Sequence, residues 1–327
     1  MGRWGTIGAL LAAVAAAAPP AAAQASGAAS AVVDRSCDRT CLIGFARRYM
    51  AALAARNPAR APFADDILFT ENDVAMEPGR GLWATVTGIA PSALEVADAE
   101  TGNAAWFGYV LEHGRPAIFA LRIAVRDGRI AEAETVVHRK TPLPAPFGDV
   151  AKMTHDPAFQ TPLTAAERRP RERLIAVADS YFSTVELNDG QVFAPFDADC
   201  ARLENGISTT SAAAAGPGGG NAAAIAQGCE DQFRLGIYRI NKRVRERRFP
   251  LVDEERGVVV ASGFFDHANS FDRYRLTDGR EMKTALKWPN SITLLEAFHI
   301  RDGRIHRIEA VFTYVPYFMH NPWSDRK

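Results

Sequence analysis

Arg126-Asp127-Gly128-Arg129-Ile130 and Arg301-Asp302-Gly303-Arg304-Ile305 are the same five residues, and each copy stands between two apolar alternating runs. Asp-Gly supplies the positive φ angles that a tight strand-to-strand turn requires, so each copy predicts a hairpin. The flanks keep strand parity: Phe119, Leu121, Ile123 and Val125 precede the first turn, and Ile292, Leu294, Phe298 and Ile300 precede the second. After the turns, Ile130 to Val136 answers Ile305 to Val311, which puts Glu134 and Glu309 at the same place. Further upstream Tyr49 to Asn72, through Ala61-Pro62-Phe63 and Phe69-Thr70-Glu71-Asn72, runs like Tyr181 to Asn205, through Ala194-Pro195-Phe196 and Arg202-Leu203-Glu204-Asn205. Val110-Leu111-Glu112-His113 is matched with Phe264-Phe265-Asp266-His267. Landmarks repeated in one order mark a tandem duplication, each unit a leading helix followed by a curved antiparallel sheet.

The N-terminus is read separately. Arg3, the apolar run Ile7 to Ala18 and the small residues Ala21-Ala22-Ala23 have the order of a secretory signal peptide, and the run is too short to span a bilayer. The expected organisation is a signal peptide over 1–23, a flexible lead-in over 24–36 and a first module over 37–139. A Pro-rich linker over 140–165 and a second module over 166–327, with an inserted loop and hairpin, complete it. The compartment is then periplasmic or extracellular, with no membrane contact after signal cleavage. There, four cysteines are expected to be oxidised. Cys37 pairs most simply with Cys41, and Cys200 with Cys229 across the Gly/Ala-rich Ser211 to Ala224, although four cysteines allow three connectivities.

Charge excludes one class of partner. Lys plus Arg and Asp plus Glu are both 38, so no net field draws the chain to nucleic acid. The basic run Lys242 to Arg248 is assigned to a helix with the stripe Phe233, Ile237, Ile240 and Val244. Leu82 to Val86 is read as a strand, Pro91 to Ala99 as a short helix, and the aromatic tail after Val315 as packing back on a module.

The leading helix, the curved sheet and the Asp-Gly-Arg-Ile hairpin resemble the nuclear-transport-factor-2-like fold, including the SnoaL-like polyketide cyclases. The chain also resembles a secreted bacterial and fungal family known as a domain of unknown function, through Phe69 to Asn72, Leu82 to Thr85, Arg202 to Gly206, Arg248 to Gly257 and Phe264 to His267. The resemblance implies an α+β chain of two tandem modules, packed on each other as a pseudo-dimer. It also implies cone-shaped apolar pockets of the kind used by cofactor-free isomerases, cyclases, hydrolases and lyases, or by proteins that only bind.

Within that frame the chemistry falls to carboxylates, histidines and tyrosines, because nucleotide loops, serine-hydrolase elbows and zinc-protease helices are missing from the sequence. Glu204 and Asp266 are the acid–base candidates and His267 the alternate. Arg202, Asn205 and Tyr314 are candidates to orient substrate, with Glu309, Glu71 and Asn72 as further binding residues. No cofactor and no metal are expected, since the histidines lack ligand spacing. Each candidate has a plainer role beside it: the Asn residues as turn formers, Asp266 and His267 as turn-fixing groups. Arg202 and Tyr314 differ from their counterparts Phe69 and Arg139, which directs attention to the second module. The expected activity is cofactor-independent lyase, isomerase or hydrolase chemistry on a small apolar or aromatic molecule. The alternative is a non-catalytic binding or structural protein.

Overall fold

The structure is a computed structural model that describes residues 1–2, 37–142, 145–210 and 227–325, and everything from Cys37 onward belongs to one compact unit, Val32–Lys327. The expected signal peptide (its first two residues aside), the lead-in and the Ser211 to Ala224 stretch lie outside the described residues. Among the described residues no helix is long and apolar enough to cross a membrane.

In the first module α1 (Arg39–Ala54) begins at Asp38, whose carboxylate accepts the Cys41 N–H at 2.8 Å. It leads to β1 (Phe63–Glu71), β2 (Val74–Ala75), the short α2 (Leu82–Thr85), β3 (Val86–Ile89), β4 (Leu94–Asp98), β5 (Asn103–Glu112), β6 (Arg115–Arg126) and β7 (Arg129–Arg139). The second module repeats the plan with α3 (Arg171–Leu187), β8 (Phe196–Glu204), β9 (Ile207–Ser208), α4 (Cys229–Leu235), β10 (Arg243–Asp253), β11 (Val258–His267), β12 (Arg273–Arg275), β13 (Glu281–Lys283), β14 (Asn290–Arg301) and β15 (Arg304–Val315). Strand order is β2-β1-β7-β6-β5-β3 in one sheet, with β4 also on β5, and β9-β8-β15-β14-β11-β10 in the other. Among the described residues only β1 with β7 and β8 with β15 run parallel. This is the α+β class with two tandem helix-on-curved-sheet modules that the repeat implies.

Both Asp-Gly turns have left-handed central residues, φ 49° and 68° at Asp127-Gly128 and φ 50° and 71° at Asp302-Gly303. Each lies next to a register shift, between Ala124 and Val125 in one hairpin and between His299 and Ile300 in the other. Successive residues of the long strands are buried in different cores. Phe119, Leu121 and Ile123 of β6 face α1, where Leu42, Tyr49 and Leu53 close the first core. Leu294, Phe298 and Ile300 of β14 face Leu174, Tyr181 and Phe182 of α3 in the second. The opposite faces form a third core that both sheets share, with Phe107, Ile118 and Val136 against Val258, Val260, Leu295 and Val311. Because β6 and β14 are covered on both faces, they read as nearly continuous apolar runs.

The linker touches both modules, through Gln160 Nε2 on the Glu95 carbonyl at 2.9 Å and the Gly148 N–H on the Asn205 carbonyl at 2.8 Å. The tail returns as expected: Trp323 is buried, donates to Thr70 Oγ1 at 3.2 Å and lies beneath the Arg122 guanidinium.

Four local expectations are corrected. The basic run is not helical: α4 stops at Gly236, which takes φ 71°, and Arg243 to Arg248 lie on β10 with Val244 opposite Phe265. Its apolar residues fit a helical spacing, but pairing with β11 overrides that local signal. Leu82 to Thr85 form a helical turn, because the buried Glu71 carboxylate captures the Leu82 N–H at 2.7 Å. Leu94 to Asp98 form β4 rather than a helix, since their edge pairs with β5 from Leu94 opposite Phe107 to Asp98 opposite Asn103. Finally, the match between β5 and β11 moves by one residue. Glu112 stands opposite Arg115 and His267 opposite Asn290, which makes Glu112 the counterpart of His267 rather than of Asp266.

Candidate functional site

Register places the central feature of the site. Glu204 pairs with Ala310 and Ala310 with Glu296, so three neighbouring strands carry one transverse row whose side chains share a face. On the far side Glu296 is paired with Ala261. Two carboxylates thus stand two strand spacings apart, roughly 10 Å at Cα, over a floor of alanines that leaves the space above them open. That space is a cavity of about 390 Å³, walled by Val185, Ile237, Ile292 and Leu294 among other apolar groups, with Glu204, Glu296, His267 and Tyr314 in its lining. The β12–β13 hairpin, which turns at Asp278-Gly279, closes one side with Tyr274 and Met282.

Arg202 lies beneath. Its side chain is fully buried, with Nε 3.5 Å from Glu204 Oε1 and 3.0 Å from Thr209 Oγ1, and Nη2 2.5 Å from Gln232 Oε1. Nη1 donates to the Tyr181 hydroxyl at 3.4 Å, and the Tyr238 hydroxyl also accepts from Nη2. The guanidinium is therefore saturated and does not reach the cavity. It gives Glu204 a counter-charge instead of orienting a substrate. The Cys200–Cys229 disulfide, one of the two present beside Cys37–Cys41, joins β8 to the first residue of α4, the helix that carries Gln232. Two disulfides point to an oxidising compartment.

Glu296 was not singled out in the sequence. It is 2 % exposed, and its Oε2 has no hydrogen-bond partner. Burial, reinforced by Glu204, pushes its carboxyl up to about 8, while Arg202 and the Tyr181 hydroxyl pull the other way. Near neutral pH Glu296 is accordingly a protonated acid beside a carboxylate with its own counter-ion. The only sequence signal was parity: Glu296 shares its face with the core residues Leu294 and Phe298. Burial also raises Tyr274 and Tyr314 to about 12, which keeps both phenols protonated as donors.

The other candidates separate. His267 lines the cavity, but its ring nitrogens are engaged by Asn290 Oδ1 at 2.9 Å and Asn241 Oδ1 at 2.7 Å, and burial lowers its pKa. Asp266 is fully buried on the opposite face of β11, where Ser291 Oγ at 2.6 Å and Arg245 Nε at 3.0 Å hold it. The structure does not bring it to the cavity, because neighbouring residues on a strand point apart. Asn205 is buried and clamps β15, donating to the Phe312 carbonyl at 3.0 Å and accepting its N–H at 2.9 Å. Asn72 does the same to Val137 in the first module, at 3.3 and 2.7 Å. Glu309 faces away from the cavity and hydrogen-bonds His155 Nδ1 at 2.7 Å, in a second hollow of about 320 Å³.

The first module handles the same positions differently. Its row is Glu71, Thr135 and Leu121, with an aliphatic residue where the second module has Glu296. Glu71 is used up by the Leu82 N–H and by Arg139 Nη2 at 3.0 Å, and Arg139 Nε also holds Glu112 at 2.6 Å. A cation thus stands beside the glutamate of this strand in both modules. Trp83 fills the space under α1, edge-on to Tyr49 at 5.2 Å and Phe63 at 6.0 Å. Among the described residues no group of three or more His, Cys, Asp or Glu side chains is placed to hold a metal.

A family model described as a domain of unknown function (DUF8021) matches residues 167–312, from just before α3 into β15. Among curated proteins nothing matches the chain. Solved structures similar to it include a protein of unknown function with a cystatin-like fold from Methylobium petroleophilum, 15% identical, covering 41% of this chain and 97% of that one with a TM-score of 0.28. An NTF2-like protein of unknown function from Cytophaga hutchinsonii is 11% identical over 31% of this chain and 89% of its own, with a TM-score of 0.25. A protein from Sphaerobacter thermophilus is 19% identical over 30% of this chain and 96% of its own, with a TM-score of 0.26.

Proposed function

We propose that the second module binds a small, largely apolar molecule in the cavity over Glu204 and Glu296 and carries out cofactor-independent acid–base chemistry on it, as a lyase, isomerase or hydrolase. The observation that supports this reading is the carboxylate row. Glu296 holds a proton because it is buried without a partner at Oε2, while Glu204 has Arg202 at 3.5 Å as counter-ion. A carboxylic acid kept protonated by burial and a carboxylate with its own counter-ion can act as acid and base in one site. Glu204 then takes a proton from the substrate and Glu296 gives one, with Tyr314 as an additional donor. Asp266 has no part in this scheme. The first module acts as the structural partner, its sheet packed on the second as in a single-chain dimer, and the protein works in the periplasm or outside the cell after loss of its leader.

A thermal-shift screen of the mature protein against small aromatic and terpenoid compounds selects ligands, and NMR of each hit reads turnover. Turnover of at least one hit by the wild type is expected, falling about a hundredfold or more in Glu204→Gln and Glu296→Gln while binding persists. Ligands bound by the wild type with no turnover would favour the second reading, a binding protein. The saturated Arg202 and the apolar walls are the features that favour that second reading.

A further inference from the structure

Six aromatic rings, those of Tyr181, Tyr238, Phe265, Tyr274, Phe312 and Tyr314, line the same cavity as the two carboxylates. Of its basic lining residues, Lys283 is exposed, and burial keeps His267 neutral, its ring nitrogens within hydrogen-bond distance of the Asn290 and Asn241 side chains. The charges at the base are therefore the buried Arg202 and Glu296 and the part-exposed Glu204. Arg202 and Glu204 offset each other at 3.5 Å. With both carboxylates ionised, one negative charge is left over at the unpartnered Oε2 of Glu296, in a place where an unpaired charge is costly. Without ligand a proton on Glu296 removes that charge, in keeping with a carboxyl raised to about 8 by burial and by Glu204. A ligand can remove it equally well by bringing one positive charge. Aromatic faces favour the same sign, since their quadrupoles attract organic cations, and one ring of the wall, that of Tyr238, already has a cation against it outside the cavity, the Arg202 guanidinium at 5.0 Å from its centroid. An anionic ligand would add a third negative charge and is disfavoured.

We propose that the ligand of this cavity is a singly charged organic cation, an amine with an apolar body, seated with its N–H on the free oxygen of Glu296 and its charge against the ring wall. The inference rests on the preceding assignment of this cavity as the binding site and adds the chemical class of what it takes. The balance is simple: the ammonium keeps its protons, the Glu296 carboxylic acid becomes a carboxylate, and the proton it held passes to the buffer.

The test is isothermal titration calorimetry of the full mature chain with phenethylamine, phenethyl alcohol and hydrocinnamate, near neutral pH, in two buffers of different ionisation enthalpy. Phenethylamine is expected to bind at least about tenfold tighter than the alcohol, with hydrocinnamate weakest and with buffer-dependent heat showing release of a proton. Glu296→Gln removes the charge but keeps the shape, so it should abolish the amine preference and the proton release while the alcohol still binds. Equal binding of amine and alcohol by the wild type overturns the cationic class and leaves the cavity assignment standing. An amine preference unchanged in a Glu296→Gln protein that melts like the wild type overturns the role of Glu296. Binding of none of the three overturns this inference together with the assignment beneath it.

Discussion

The two modules place a glutamate at the same point of the same strand, Glu71 on β1 and Glu204 on β8, and then spend it differently. In the first, Glu71 accepts the Leu82 N–H and an Arg139 side chain that is 40% exposed, so the carboxylate builds a wall. In the second, Tyr314 stands where Arg139 does, the cation comes from below as the fully buried Arg202, and Glu296 replaces Leu121 in the same row. Moving the positive charge from the open side of the carboxylate to the core side leaves its outer face free. Trp83 fills the first module while an open space remains over the second. The two modules thus differ in this row and its neighbours by a few side chains.

The largest break in this comparison should come from the two arginines. Arg202→Ala is expected to cost about 3–5 kcal/mol, because it takes the donor from the buried Gln232 and Tyr181 side chains and the counter-charge from Glu204. Arg139→Ala, at a half-exposed position, should cost about 1 kcal/mol or less. Urea unfolding of both variants measures the difference; equal losses would mean that the arginines play one role. Removing the second disulfide comes next. Cys200→Ser with Cys229→Ser is expected to lower stability by about 2–4 kcal/mol, and to weaken ligand binding as α4 and Gln232 loosen around Arg202. Peptide mapping of non-reduced protein should find Cys200 linked to Cys229, as in the structure.

Asn72→Ala and Asn205→Ala sharpen what the modules share. Each asparagine holds both polar backbone groups of one residue in the last strand at left-handed φ, 50° and 46°. Each should therefore lose about 2 kcal/mol. A marked inequality would show that one of them serves more than the fold.

The smallest expected effect concerns Glu296. Glu296→Leu restores the residue of the first module and should stabilise the protein by about 1 kcal/mol while abolishing ligand binding, as replacement of buried charge by apolar groups often does. Its titration adds a pH signature. The folded-state value of about 8 lies above the ordinary 4.5, so the folded protein holds the extra proton between these limits. Stability is then highest below the lower value and is lost as pH rises to the upper one. Asp73, raised to about 7 by burial and by Glu134, contributes in the same direction. The comparison of wild type with Glu296→Gln isolates Glu296: the difference in stability should fall across that window and stay flat outside it. Catalysis that needs the protonated acid should decline above about pH 8 as well.

Sequence by itself determined the repeated plan, the two Asp-Gly hairpins, the leading helices and the α+β class, since each rests on local chemistry: left-handed turn residues, strand parity and helical stripes. It also drew attention to Arg202 and Tyr314 through their departure from Phe69 and Arg139, and to Glu204 through the Glu-Asn pair that both units carry. What it misjudged depended on partners far away in the chain. Arg243 to Arg248 became a strand because β11 offered an edge, Leu82 to Thr85 turned because Glu71 captured an amide, and Asp266 was lost to the far face of its own strand. Glu296 escaped notice because, at its helical or strand spacing, a lone glutamate in an apolar run is indistinguishable from a salt-bridged one. Only the tertiary structure decided that Ala310 separates Glu296 from Glu204 and that Arg202 lies beneath one carboxylate and not the other. Register between strands and the reach of buried charges are properties of the assembled sheet, and no local stretch of chain encodes them.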